Sequence, residues 1–280
     1  MSDDNGDNGD SNDKGDDYDD LPEYSLSASR IKAYRNCPEK FRMRYIEELD
    51  GTKKAKGYGI LGSVVHKTIE TVLEDASELT LRDEYQLAGR LKSTFNRLKD
   101  ELDYDWEKVD DKQEDDGLKC LETAATFITA RDFEVRDIEA RTVFQIENAE
   151  YGIEANVLGY IDVTTDGEVW DWKTGRIRDD TAQEEIIQGS VYMAGYHNLY
   201  GEMPEAVRFV YLKEEQVRSI DVSEDNWKTM LSHARRLVDG KQQDEYEAKP
   251  EDGKCYFCSY EGYCGASPVG AGQIDRWEQF

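Results

Sequence analysis

The sequence predicts an α/β fold, a mixed central sheet flanked by helices. Two observations carry this. Residues with β preference gather near 140–148, 152–163 and 168–173, and again at 206–212 and 216–222, while apolar residues between and around these runs recur with helical spacing. The turn signal TTDG at 164–167 joins the second run to the third, which reads as an antiparallel hairpin.

The elements follow in order. Residues 1–22 are Asp, Asn, Gly and Ser with almost no apolar content, a composition that cannot bury enough surface to fold and reads as a disordered tail. Serines in SLSASR suit an N-cap, and the helix that follows breaks near Pro38. Helices are expected over about 62–75 and 82–103, a loop over the acidic stretch 103–116, and helices over about 117–134, 181–200 and 224–241. Residues 23–280 then form one domain with a helical insertion at about 76–138. No apolar run approaches membrane-spanning length and no signal peptide is evident, so the expected location is the cytoplasm. There is no internal repeat, and no G-x4-G-K-[ST] loop, so no nucleotide-driven motor is expected in this chain.

The hairpin carries the chemistry. Asp171 and Lys173, in VWDWKTG, are two apart on one strand and share a face; Asp162, in GYID on the partner strand, lies beside them. Two carboxylates and a lysine converging near a hairpin tip are what metal-dependent phosphodiester hydrolysis needs. Asp162 and Asp171 offer hard oxygen ligands for Mg2+ or Mn2+, and Lys173 faces the phosphate or the attacking water. The same residues could also form exposed ion pairs of little energetic weight.

Four of the five cysteines form a second constellation: Cys37, then Cys255, Cys258 and Cys264 in CYFCSYEGYC. Without a signal peptide, disulfides are not expected, and four thiolates suit zinc or an iron-sulfur cluster. Cys120, inside a helical segment, reads as a buried small hydrophobe.

These blocks resemble the PD-(D/E)XK nuclease superfamily, in particular its RecB-like iron-sulfur branch, of which the CRISPR-associated exonuclease is a member of similar size and layout. The pattern G-x-[IVL]-D followed by [DE]-x-K-T-G is matched at 159–162 and 171–175; LGSVVHKTIE supplies His66, and QGSVYMAGY supplies the Q-x-x-x-Y pair Gln188 and Tyr192. The resemblance runs over about 25–264. It implies a restriction-endonuclease-like core in which His66, Asp162, Asp171 and the Trp172 backbone carbonyl hold Mg2+ or Mn2+. Asp162, Asp171 and Lys173 would be catalytic, with Gln188 and Tyr192 orienting the lysine and contacting DNA. It further implies a 4Fe-4S cluster on Cys37, Cys255, Cys258 and Cys264, tying the two ends of the domain together, with Zn2+ as the alternative occupant.

Charge sets the surroundings. The 62 acidic residues outnumber 35 basic ones, for a net charge of −27, which is unusual for a DNA-binding protein. A salt-rich, halophilic cytoplasm reconciles the two, because molar salt shortens electrostatic reach to about 3 Å. The stretch 30–56 runs against the trend. It carries Arg30, Lys32, Arg35, Lys40, Arg42, Arg44, Lys53, Lys54 and Lys56, interleaved with Tyr34, Phe41 and Tyr45 and followed by Tyr58. That mixture suits a single-strand groove, with Arg30, Arg35 and Arg42 as candidate DNA contacts, or equally a solvated helix with core aromatics. The expected function is a DNA exonuclease on single-stranded or flapped DNA, serving repair, recombination or CRISPR adaptation, with any helicase or integrase on a separate chain. The alternative is a non-catalytic iron-sulfur or zinc DNA-binding subunit of a larger complex.

Overall fold

A computed structural model describes residues 25–49, 51, 57–75, 82–131, 134–221 and 223–268. The acidic tail and Lys53, Lys54 and Lys56 fall outside them. The strands are β1 (Ser25–Leu26), β2 (Val135–Asn148), β3 (Ile153–Thr165), β4 (Glu168–Lys173), β5 (Ala206–Tyr211) and β6 (Gln216–Ile220). The helices are α1 (Ala28–Asn36), α2 (Pro38–Tyr45), α3 (Gly57–Asp75), α4 (Glu84–Glu101), α5 (Asp111–Thr129), α6 (Thr181–Tyr200), α7 (Glu224–Gln243) and α8 (Asp252–Tyr256).

The sheet is mixed. Its strands run β1-β3-β4-β5-β6, with β2 pairing the other edge of β3. β2 is antiparallel to β3 along nearly its whole length, β4 and β5 are parallel, and β5 and β6 are antiparallel. The remaining edge of β3 is shared: β1 pairs in parallel with Asn156 and Val157, and β4 pairs antiparallel with Val163 and Thr164. Between those contacts, residues 158–162 have no strand partner on that edge among the described residues, and Asp162 lies in this window.

Helices cover both faces. Leu87, Leu91 and Phe95 of α4, Leu121 and Ala125 of α5, and Val64 and Ile69 of α3 pack with Trp170 and Trp172 of β4 on one side. On the other, Val191 of α6, Leu237 of α7 and Ile31 and Tyr34 of α1 pack on Val157 of β3, while Tyr192 and Tyr196 of α6 meet Val169 and Phe209. Strand alternation therefore turns Trp170 and Trp172 to one layer, and Val169, Asp171 and Lys173 to the layer of α6. Close approach of α6 depends on Gly195, where a Cβ would stand 2.6 Å from Thr142 Cγ2.

Two expectations are corrected. α5 starts at Asp111, inside the acidic stretch read as a loop, because Asp110 and Gln113 form a reciprocal capping box that satisfies the first turn; clustered acids near a helix N-terminus are also favoured by its dipole. Tyr34 and Phe41 are core residues rather than groove linings. Both are buried and meet edge to face at 5.5 Å, as the apolar positions Ile31, Tyr34 and Phe41 turn toward Tyr246 and α7. Serine capping is as expected: Ser27 Oγ accepts from the Arg30 amide, and Cys37 separates α1 from Pro38 at the first turn of α2.

Gly240→Ala is expected to lower unfolding stability by about 1–3 kcal/mol, since its Cβ would stand 1.7 Å from the hydroxyl of Tyr34, which donates to the Glu245 carbonyl at 2.8 Å. Gly89→Ala, in α4 with nothing within 4 Å of the added Cβ, should instead gain about 0.5–1 kcal/mol. Urea unfolding midpoints measure both.

Candidate active site

The site forms where β3 and β4 part. The hairpin ladder ends at Val163 and Trp170, and extending its register by one step sets Asp162 opposite Asp171. The carboxylates thus lie at the open end, away from the Asp166–Gly167 turn, not at the tip as the sequence suggested. The Trp172 amide turns to the side chain of Asp162, reaching Oδ2 at 3.0 Å. The same oxygen faces His66 Nδ1 of α3 at 3.3 Å.

Asp171 is buried, 2 % exposed. Its Oδ1 accepts from Gln188 Nε2 and from the Tyr192 hydroxyl, both at 2.8 Å. Its Oδ2 is paired with Lys173 Nζ at 2.6 Å. Gln188 Oε1 in turn accepts from Lys173 Nζ at 3.1 Å and from Lys32 Nζ at 2.8 Å. The amide orientation is fixed by chemistry: reversing it would aim NH2 at two ammonium groups and a carbonyl oxygen at a carboxylate.

The electrostatics match this crowding. Burial pushes the Asp171 carboxyl up, opposed by Lys173 and reinforced by Asp162. Burial also works against charge at Asp162 and His66, but each holds the other ionised, so Asp162 is displaced downward and His66 upward. Burial, then the nearby Lys173, bring Lys32 down to about 8, with Asp171, Glu184 and Asp162 opposing. Burial and Asp171 raise the Tyr192 phenol well above its usual range, so it remains a donor.

The structure thus brings together His66, Asp162, Asp171, Lys173, Gln188 and Tyr192 from three regions of the chain. It does not make Tyr192 a DNA contact. The ring is 5 % exposed and its hydroxyl is engaged with Asp171. Arg42 is held by Glu39 and Glu47, Arg35 donates to Asn36 Oδ1 at 2.9 Å, and the Arg30 guanidinium lies over the ring of Tyr45 at 5.1 Å. Lys32 was not among the DNA contacts read from the sequence, and no local signal marks it, since its partner Gln188 lies 156 residues away. Glu185 was missed too. It is 2 % exposed, accepts from Tyr211 Oη, and is paired with Arg218.

Among the described residues, no group of three or more His, Cys, Asp or Glu side chains is arranged to hold a metal as it stands; the acidic oxygens face His66 and Lys173 instead. Chemically the donors still fit a hard cation. They are carboxylate oxygens, and those of Asp171 are buried.

Cys37, Cys255, Cys258 and Cys264 line one small cavity of about 30 Å³. The Lys249 amide reaches Cys37 Sγ at 3.5 Å and the Glu251 amide Cys255 Sγ at 3.4 Å. Burial, with neighbouring negative groups, raises the Cys258 and Cys264 thiols. All five cysteines are free, and Cys120 is buried, its thiol pushed up to about 11 by burial.

A family model for the PD-(D/E)XK nuclease superfamily matches residues 25–265. The chain belongs to that superfamily. Asp171-Trp172-Lys173 has the D-x-K form that appears in its name. Among solved structures, a "putative exonuclease" from Eubacterium rectale is 15% identical at a TM-score of 0.48, covering 80% of this chain and 83% of that one. A second, SSO0001, is 14% identical at 0.40, covering 87% of each. No curated protein gives a match. Among the described residues, no helix is long and apolar enough to cross a membrane.

Tyr192→Phe removes one of the two donors to Oδ1 of the buried Asp171. A loss of about 1.5–3 kcal/mol in unfolding stability is expected, the size of a hydrogen bond to a charged group, with the circular dichroism spectrum unchanged.

Proposed function

We propose that the chain is a Mg2+- or Mn2+-dependent deoxyribonuclease, an exonuclease acting on single-stranded or flapped DNA. One observation carries this: the buried carboxylate of Asp171 is paired with Lys173 and lies opposite Asp162 at the gap in the sheet. Membership of the nuclease superfamily supports it.

Asp162, Asp171, His66 and the Trp172 carbonyl would hold the divalent ion, which when bound neutralises phosphate charge and acidifies water. The chain's own groups do the rest. Gln188 holds Lys173, and Tyr192 and Gln188 fix Asp171, so that the lysine is aimed before substrate arrives. Lys173 places positive charge where the phosphate gains negative charge as water bonds to phosphorus and the bond to the departing nucleotide oxygen breaks.

The four cysteines would carry a 4Fe-4S cluster, with zinc the alternative. The shared cavity and the two amide-sulfur contacts support a thiolate-bound metal. Its role is structural, joining Cys37 to the chain's far end. Residues 23–280 are read as one nuclease domain with a helical insertion at about 76–138. Repair, recombination or CRISPR adaptation in a salt-rich cytoplasm, beside a separate helicase or integrase, fits this reading. A non-catalytic subunit fits less well, because Asp162, Asp171 and Lys173 are all present.

With anaerobically purified protein in molar KCl and Mn2+, single-stranded DNA labelled at either end should shorten. Lys173→Ala and Asp162→Asn should each slow this by at least about 10²-fold, as for loss of one transition-state contact. Equal products from wild type and both variants would refute the assignment. Metal analysis should find iron and acid-labile sulfide, both lost together with thermal stability in Cys258→Ser; zinc in their place would assign the zinc site.

A further inference from the structure

Lys32 is a lysine that the D-x-K pattern does not account for. It comes from α1, 156 residues before its partner, and its Nζ donates to Gln188 Oε1, the acceptor that Lys173 also uses. Two ammonium groups on one neutral oxygen repel each other, and partial burial makes the repulsion stronger. The fold nevertheless holds them together. Lys32 and Asn36 are four apart on α1, and they meet Gln188 and Glu184, four apart on α6, with Asn36 Nδ2 on Glu184 Oε1 at 3.0 Å. The opposite face of α1 is locked by buried Ile31 and by Tyr34. At the helix end, Lys249 Nζ donates to the Arg35 carbonyl at 2.9 Å while its amide meets Cys37 Sγ. α1 therefore presents Lys32 at a fixed height and angle.

The two lysines share a cavity of about 240 Å³ that Arg176, Arg178 and Gln188 also line. Lys32, Lys173 and Arg176 around one opening, in a chain with a net charge of −27, favour an anion there. Glu184 and Glu185 on its wall are occupied, by Asn36 and Arg178 and by Tyr211 and Arg218, respectively.

We infer that Lys32 is a second phosphate-contacting lysine of the active site, reaching a non-bridging oxygen of the substrate backbone from the side opposite the carboxylates. The inference rests on the nuclease reading for its substrate. Lys173 then serves the phosphate under attack, and Lys32 shares its charge or holds the neighbouring phosphate. Gln188 sets the distance between the two ammonium groups, so that they reach the DNA as a pair.

The test uses the full-length, cluster-loaded protein and a single-stranded oligonucleotide. Affinity is measured across a KCl series with Ca2+ replacing Mn2+, and cleavage under single-turnover conditions with Mn2+. Lys32→Ala and Lys32→Gln should flatten the plot of log affinity against log salt by about 0.7, the slope of one lost single-strand phosphate contact. Both should also cleave about 10²-fold more slowly. Lys32→Arg should keep the slope. Lys32→Gln retains a donor for Gln188, so a purely structural role would leave its slope at the wild-type value, and that result overturns the inference. The two readings separate cleanly. Wild-type cleavage with unchanged slopes in the Ala and Gln variants removes Lys32 from the substrate and leaves the nuclease standing. Flattened slopes without cleavage by the wild type keep the contact and refute the nuclease.

Discussion

The amide of Gln188 is the interaction on which the site depends. A single side chain donates to a buried carboxylate and a phenol and accepts from two ammonium groups. Its orientation admits one solution, and that solution requires three elements in place: β4 for Asp171 and Lys173, α6 for Gln188 and Tyr192, and α1 for Lys32. Charges buried this closely would be costly if any partner were lost.

The sheet makes room for them by an interruption. β3 is bonded along one edge by β2 but shares its other edge between β1 and β4. Where that second ladder is absent, the Trp172 amide is free to bind a side chain, and Asp162 supplies it. A continuous hairpin would have satisfied the same amide with a backbone carbonyl and left Asp162 without this donor. His66 enters from the α3 layer and Gln188 from the α6 layer, so the gap is also where the two helical layers communicate through the sheet.

What the sequence disclosed follows from how local each signal is. Asp171 and Lys173 sharing a face needs only strand alternation, and the β3–β4 turn has its own dipeptide. Gln188 and Tyr192 share a helical face by spacing alone. Lys32 could not be read this way. Its partner lies 156 residues away, and nothing in SRIKAYRN distinguishes it from Arg30 or Arg35. The basic, aromatic stretch misled in the same manner: Tyr34 and Phe41 alternate with cations in sequence, yet the helical period turns them inward. The start of α5 was hidden because clustered acids resemble a loop, whereas Asp110 with Gln113 three residues on was the cap that marked it. The fold class and the convergence of Asp162, Asp171 and Lys173 at the hairpin were thus legible, while the arrangement of distant helices on the hairpin was not.

α1 joins the two constellations physically. Its middle supplies Lys32 to Gln188, and its end is Cys37, whose sulfur faces the Lys249 amide while the Lys249 ammonium binds the carbonyl of Arg35. Beyond Cys37, α2 contributes Met43 to a small core with Tyr260 and Tyr263, against which Cys258 and Cys264 pack. A metal held by these sulfurs would therefore brace the same short helix that positions Lys32. Loosening the cysteine module would free the end of α1, and the two lysines would lose the spacing that Gln188 imposes. The arrangement also bears on the acidity of the chain. In salt that screens long-range attraction, cations held by the fold at contact distance count for more than cations spread over a surface, and the two lysines on Gln188 are such cations.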